Sequence, residues 1–430
     1  MEPVTHLLTG ACLSRSGFNR RAAYATLTMV VAAEFPDVDT LWALRGPIEG
    51  LQHHRGITHT FLGLPFEAAL IVAAVYGLHR WRLRRAEARA RDKAALTAQE
   101  KDSQETAQEA LGIPRSPSMH GQDEPAPARP LTAAPVRWGV LYLLALLALL
   151  SHLLLDYTNS YGLRPFFPFD DRWYAGSIVF IFDPVIFVLL LGALLAPWLL
   201  GLVSAEVGVK RQSFPGRGWA IAALLGVAAW WGLRAVEHQR ALQMAMMQSI
   251  QAPSEGISPQ GQPVPIWLPV QRALASPAMV NPFRWSAVLD FGPVYKLAEI
   301  ETLNGTLRMS ETSYPKPGSS PAVRAAEASK LGTVYMDWSP MPFVQVTKPH
   351  AGFLDAAAGS TKLSESDAIA TVVTFRDPRF MGSSFGNAGA SSEGSASDGI
   401  EAEQTPLMGV VELDAENHVL QESLDGRQER

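Results

Sequence analysis

A single cysteine, Cys12, among 430 residues excludes an intramolecular disulfide and any multi-thiolate zinc or iron–sulfur site. Charge is also scarce: 18% of the residues are Asp, Glu, Lys or Arg, the formal net charge is -5, and no nucleic-acid partner is expected. Met1 to Gly10 lacks a basic leader, and the first apolar stretch is interrupted by Arg15, Arg20 and Arg21. A cleavable signal peptide is therefore not expected, and membrane segments must direct insertion themselves. No internal repeat is visible. What is present is a chain long enough for about two or three domains and uneven along its length. A very apolar N-terminal half and a polar C-terminal half average to a mean hydropathy of +0.06.

A membrane-crossing helix needs about 20 mainly apolar residues to span roughly 30 Å of hydrocarbon. Val136 to Tyr157, Ile178 to Val203 and Trp219 to Val236 meet that requirement, and Thr60 to Leu78 does so despite Pro65 and Glu67. Ala22 to Leu44 is a weaker fifth segment, with Glu34, Asp37 and Asp39 in its second half. With five spans, Arg20 and Arg21, the run RWRLRRAEARARDK, and Lys210, Arg211 and Arg217 all fall on one side. The positive-inside rule makes that side cytoplasmic and puts everything after Glu237 outside.

The expected fold class is mainly α, a multi-pass helical membrane domain followed by a small C-terminal β-rich (α+β) soluble domain. The membrane domain takes residues 1–93 and 136–237. Residues 94–135, rich in Ala, Gln, Glu, Ser and Pro, read as a disordered linker with too little apolar surface to fold alone. Residues 238–265 read as a connector, of Pro/Gly/Ser character over Gln251 to Pro265. Over 266–430 the runs RWSAVLDF, VYKLAEIETL, LGTVYMDW, FVQVT, AIATVVTF and MGVVEL read as strands, with a disordered Gly/Ser-rich insertion near 382–398. The segment NPFRW suggests a lid or substrate-guiding module over the site described next.

Ionisable residues near the ends of apolar helices are costly to place, and here they cluster. The cluster comprises His6, the Asp37 and Asp39 of EFPDVD, the His53, His54 and His59 of HHRGITHT, the His152 and Asp156 of SHLLLDYTN, and Asp183 of FIFDP. His152 and Asp156 are four residues apart in a strong helix, which sets imidazole and carboxylate on one face, while Leu154 points elsewhere. Asp37 and Asp39 flank a valine after Pro36, so both carboxylates can converge where a helix gives way to a loop. Gly56 permits a turn that folds His54 and His59 inward. In the five-span arrangement these groups share the outer side, and His6 joins them if Met1 to Ser14 is a short helix dipping in from outside. Imidazole and carboxylate donors without thiolate suit a divalent metal, Zn, Mn or Fe. Asp183, before Pro184, is as well read as a helix cap as a ligand. His53 reads as solvated, and His79, His120, His238, His350 and His418 as uninvolved.

The order HLLTG, EFPDVD, HHRGITHT, SHLLLDYTNSYG, PFFPFDDRWY and FIFDP resembles the YdjM family of bacterial membrane-bound proteins. The likeness covers roughly the first 185 residues apart from the linker, and extends to NPFRWSAVLD. It implies a metal-dependent hydrolase of the bacterial inner membrane, with His6, Asp37, Asp39, His54, His59, His152 and Asp156 as metal residues. A fainter likeness to the zinc-dependent phospholipase C group implies phosphoester hydrolysis of a lipid or lipid-linked substrate at the bilayer surface. Asp37 or Asp39 then orients water or acts as general base, and Arg55 pairs with a phosphoryl oxygen or, equally, with an aspartate. Two rivals remain. One is a metal or proton-coupled transporter, since His and Asp also line ion pathways, although no span in the sequence has broken-helix pairing. The other is a non-catalytic membrane scaffold.

Overall fold

Leucine and alanine recur through Trp138–Thr158 (α5) so that Leu141, Ala145, Ala148, His152 and Asp156 fall on one buried face, while Leu143, Leu150, Leu154 and Tyr157 are exposed on the others. This helix is the axis of the N-terminal half in the computed structural model, which describes residues 1–110, 134–206, 216–257, 263–316, 318–348, 369–380 and 406–428. Around it pack Pro3–Arg15 (α1), Ala25–Glu34 (α2) and Leu64–Ala110 (α4). Their shared core includes Ala25, Met29, Ala32, Ala68, Ile71, Ala145 and Leu149. Small residues permit close approach. A Cβ on Gly10 would lie 2.6 Å from the Met29 carbonyl oxygen, so α1 and α2 can touch only because position 10 has no side chain. Pro184–Glu206 (α6) and Arg217–Met246 (α7) pack against each other and against α1.

Among the described residues, α5 and α7 are each long and apolar enough to cross a membrane. A third candidate is Pro47–His59 taken with the start of α4, a pair bent by 83°. The described apolar part of α6, Pro184–Leu200, is shorter. The five-span expectation is thus not reproduced. Ala22 to Leu44 is no single helix: α2 has 10 residues and passes into a 3-10 segment, Phe35–Leu44. Ten residues rise only about 15 Å, half a bilayer core.

Two expectations about linkers also change. Residues 94–110 are the continuation of α4, a 47-residue helix about 70 Å long. Their Ala, Glu, Gln and Lys are strong helix formers, and extension from an existing helix avoids the cost of nucleation. Residues 111–133 lie outside the described residues, as does the Gly/Ser-rich insertion near 382–398. The connector is a β-ribbon in part, because Ser249–Ile257 (β1) pairs antiparallel with Pro263–Pro269 (β2).

Beyond it stand two antiparallel sheets. Arg272–Pro277 (β3), Arg284–Asp290 (β4), Val294–Glu301 (β5) and Thr306–Pro315 (β6) form a meander in the order β3-β4-β5-β6, packed on α7 through Trp285, Ala287, Leu289, Ala241 and Ala245. After the helices Pro321–Ala328 (α8) and Lys330–Trp338 (α9) comes the second sheet. It is built from Phe343–Thr347 (β7), Thr371–Arg376 (β8), Gly409–Leu413 (β9), Val419–Leu424 (β10) and Arg427–Gln428 (β11), in the order β11-β10-β9-β8-β7. LGTVYMDW, expected as a strand, is α9. Ser329 caps it by accepting the Gly332 N–H, and Leu331, Val334, Tyr335 and Trp338 are buried at helical spacing. The core under this sheet also takes in Ile48 and Leu51 of Pro47–His53 (α3) and Tyr161, so the C-terminal sheet rests on the segments that carry the histidine motifs.

Candidate metal centre

Three chain segments deliver four donors to a single point. Asp37 comes from the 3-10 segment after α2, His59 from the 3-10 turn Ile57–His59, and His152 and Asp156 from successive turns of α5. One ligand atom from each of the four lies within 4.8 Å of every other, and His59, His152 and Asp156 are fully buried. The two imidazole Nε2 atoms are 3.0 Å apart. His59 Nε2 is 3.4 Å from Asp37 Oδ1 and 3.3 Å from Asp156 Oδ2, and His152 Nε2 is 3.6 Å and 3.5 Å from the same two oxygens. A tetrahedral ion about 2.0–2.1 Å from each donor separates those donors by roughly 3.3 Å, so these spacings are the edges of a zinc-sized tetrahedron.

The proton positions reach the same conclusion. His152 Nδ1 is 2.8 Å from the Ala33 carbonyl, which can only accept, so Nδ1 carries the hydrogen and Nε2 presents a lone pair. His59 Nδ1 is 3.1 Å from Asp39 Oδ2, and a carboxylate there likewise holds the hydrogen on Nδ1. With Nδ1 of each ring so occupied, the two Nε2 atoms face each other at hydrogen-bond distance across the same space as Asp156 Oδ2, which is buried beside them without a hydrogen-bond partner. A cation resolves all three. The donor set therefore fits a divalent metal.

Asp39 stands one step outside. Its Oδ2 accepts from the Arg55 N–H at 2.7 Å and from the Thr58 hydroxyl at 3.1 Å as well as facing His59, while Oδ1 lies 3.1 Å from His54 Nδ1. The expected convergence of Asp37 and Asp39 does not occur. In a 3-10 helix residues two apart point about 120° apart, so only one of them can face the centre. His54, expected as a ligand, is partly exposed and bound to Asp39. The turn between the two histidines also differs from the expectation: the left-handed residue is Arg55 at φ 56, not Gly56. Gly56 is needed for space, since a Cβ there would approach the His53 carbonyl to 2.9 Å.

Arg55 is committed to the protein. Its Nη2 donates to Asp156 Oδ1 at 2.9 Å, its Nη1 to the Asn159 side chain at 3.3 Å and the Gly162 carbonyl at 2.8 Å, and its guanidinium lies over the Tyr161 ring. Of the two expected partners, the aspartate is the one observed. The Met1 amino group also contacts Asp156 Oδ1.

His6 does reach the centre. It is buried on α1, stacks on His152 with centroids 3.8 Å apart, sits 3.4 Å from Asp156 Oδ1, and has no hydrogen-bond partner at either ring nitrogen. Asp183 does not. It caps α6 by accepting the Val185 and Ile186 N–H groups, and takes a hydrogen bond from Trp230 beside Arg234. His53 pairs with Glu49 and stacks on Trp42. His79 meets Tyr24, and His238 lies near the Ala275 carbonyl. His418 belongs to a group with the exposed Glu416 and the buried Asp414, and Asp414 is occupied by hydrogen bonds within its own turn. His120 and His350 lie outside the described residues.

Several supporting groups escape a sequence reading. The Ala33 carbonyl leaves no signal at all, and Thr58, Asn159 and Tyr161 sit inside the histidine and SHLLLDYTNSYG motifs without being titratable near neutral pH. The segment NPFRW is not over the centre. Arg234 of α7 donates to the carbonyls of Ala278 and Met279 just before it, and Trp285 packs against His238. The part of the C-terminal region that does reach the site walls is α9 with the turn after β8, through Trp338 and Arg379.

Comparison with known proteins follows the same boundary. The Bacillus subtilis (strain 168) protein named "Uncharacterized protein YfhP" is 24% identical over 209 residues, which is 47% of this chain and 47% of that protein. The chain thus spans about half the length of the curated relative it matches. No solved structure matches. The family model described as YdjM inner membrane protein matches residues 1–241, more than half of the chain and all four donors of the centre, and the chain belongs to that family.

Proposed function

We propose that this protein is a membrane-bound metal-dependent hydrolase in which Asp37, His59, His152 and Asp156 hold a divalent ion, zinc in the first place and manganese or iron otherwise. His6 is a further donor at the edge of the site. The observation that carries the reading is the set of two imidazoles and two carboxylates, three of the four fully buried, with histidine nitrogens 3.0–3.6 Å from the other donors. A divalent ion held there would supply Lewis acidity and, where Asp37 yields its place to solvent, a water acidic enough to react near neutral pH. The chain's own residues do the rest. Asp37 has the most accessible side chain of the four, 12% exposed against 0% for His59, His152 and Asp156, and is placed to orient water and take its proton. Asp39 holds the His59 ring, and Arg55 fixes Asp156. With Arg55 so engaged, an anionic substrate meets the centre rather than this guanidinium.

A substrate carried by the bilayer is favoured because the site lies at one end of the apolar α5, near which the exposed Phe61 and Phe166 meet. We assign a phosphoester of a lipid or lipid-linked molecule, at the outer face of the inner membrane. Metal analysis of detergent-purified protein, run with a panel of phosphodiester and phospholipid substrates, tests the proposal. Bound metal with metal-dependent turnover is expected; metal without turnover on any phosphoester refutes the hydrolase.

One observation favours the transporter reading. The bent pair of Pro47–His59 and the start of α4 places His59 at the edge of a break in an apolar helix pair, a feature that ion pathways use. Proteoliposomes loaded with a metal-sensitive dye separate the two readings. Flux abolished by His59→Ala would support transport, and a tight vesicle with active protein would support the hydrolase.

A further inference from the structure

The family match ends at residue 241, yet the second C-terminal sheet makes buried polar contact with the wall of the centre. Arg379 follows β8 and is almost wholly buried. Its guanidinium forms a fork with Asp377, Nε to Oδ1 at 2.9 Å and Nη2 to Oδ2 at 2.7 Å, and Ser339 donates to the same carboxylate. The remaining nitrogen, Nη1, donates to the Ser160 carbonyl at 2.6 Å. Trp338, lying under the Arg379 guanidinium, donates its indole N–H to the next carbonyl, Tyr161, at 3.3 Å. Two adjacent carbonyls of the segment after α5 are thereby held by side chains from the C-terminal region.

That segment grips Arg55. Asn159 Oδ1 accepts both from the Tyr161 N–H at 2.8 Å and from Arg55 Nη1, the Gly162 carbonyl accepts from Arg55, and the Tyr161 ring stacks on the guanidinium on one side and meets Trp338 on the other. Arg55 in turn holds both sides of the centre, Asp156 through Nη2 and Asp39 through its backbone N–H. Asp156 is a donor, and Asp39 orients the His59 donor. We infer that Arg379, with Asp377 and Trp338, is a positioning element of the metal centre, acting through the 159–162 segment and Arg55, so that the C-terminal region sets metal affinity without contributing a ligand. The inference rests on the metal-binding half of the function proposed above.

Buried planar pairing explains why an arginine is used. One guanidinium satisfies a carboxylate with two nitrogens and has a third left for a carbonyl, a geometry that lysine cannot reproduce. Groups that orient donors in this way commonly affect metal affinity by about 10–100-fold, and a group one link further away belongs at the lower edge, about tenfold.

The test uses the full chain in detergent and compares Arg379→Met with Arg234→Met. Both lose a buried arginine that ties the C-terminal region to the helical half, but Arg234 pairs with Asp183 and holds the Ala278 and Met279 carbonyls, none of which belongs to the 159–162 segment. Zinc affinity is measured by competition with a chelating dye, and amide exchange is followed by mass spectrometry in peptides covering 53–60. Arg379→Met should weaken zinc binding about tenfold and speed exchange at 53–60, which is remote in sequence, while Arg234→Met leaves both unchanged. Wild-type affinity in Arg379→Met overturns the inference whatever the exchange shows, and so does an equal loss in Arg234→Met. If Arg379→Met fails to fold, Trp338→Phe, which removes the N–H donated to Tyr161 together with part of the ring beside Arg379, carries the same comparison in the same direction. A wild-type protein without zinc affinity sinks the proposed function instead, and the exchange at 53–60 then decides this inference alone.

Discussion

Replacing Asp39 separates a group that orients a ligand from a ligand itself. In the structure Asp39 makes no approach to the point shared by the four donors, yet it holds His59 Nδ1, His54 Nδ1, the Arg55 N–H and the Thr58 hydroxyl. In Asp39→Ala, His59 Nδ1 keeps only Thr58, 3.1 Å away, and the proton is free to move to Nε2, where it blocks the lone pair. Metal affinity should fall by about 10–100-fold, the usual effect of losing such a partner. That corresponds to about 1.4–2.7 kcal/mol. The buried Arg55 N–H also loses its acceptor, which costs about 1–3 kcal/mol of stability. Asp39→Asn keeps an oxygen that can face Arg55 and His59, with its amide turned to the partly exposed His54, so both losses should be smaller. Isothermal titration with zinc and thermal melts of the metal-free protein measure the two effects separately. The expected order of affinity is wild type, Asn, Ala. A loss in Asp39→Ala as large as in His59→Ala would make Asp39 a ligand and refute the reasoning, and no loss in either variant would refute it from the other side.

Other outcomes follow from the same geometry. Because an imidazole nitrogen must give up its proton to bind metal, zinc affinity should decline as pH falls, with protons released on binding; a pH-independent affinity between 5 and 8 on buffered titration would speak against imidazole ligation. Reporter fusions after Arg85, in the basic stretch of α4, should report cytoplasm, and fusions after Gln251 should report the outside. An outside signal after Arg85 would move the centre to the cytoplasmic face.

How far the sequence revealed the centre depends on the local geometry of each segment. His152 and Asp156 were legible because helical periodicity alone sets them on one face, and α5 is a regular helix. The pair Asp37 and Asp39 was ambiguous, since two residues apart means different directions in a strand, an α-helix and the 3-10 segment actually formed. His6 needed a tertiary fact, the close packing of α1 on α2 that Gly10 allows, which no single-segment pattern contains. Hydropathy averaged α2 with the following 3-10 segment into a span that does not exist as one helix, while the composition of 94–110, read as a linker, is also that of an exposed helix. In the C-terminal region strand periodicity identified β4, β5, β7, β8 and β9, but α9 was hidden because short apolar runs fit either period until a cap such as Ser329 is weighed. The tie from Arg379 to the centre joins residues 219 positions apart, and such contacts leave no local trace.

The central claim, that one ion is held by Asp37, His59, His152 and Asp156, is tested most directly by metal content per folded molecule in four proteins: wild type, His152→Ala, Asp156→Ala and Leu154→Ala. Leu154 lies on the same helix but is half exposed on another face. Titrated with zinc and read by elemental mass spectrometry after desalting, His152→Ala and Asp156→Ala should each show weakened binding, with Leu154→Ala indistinguishable from wild type. Equal metal content in all four proteins would mean that the buried histidines and carboxylates serve helix packing, and the account of this site would be wrong.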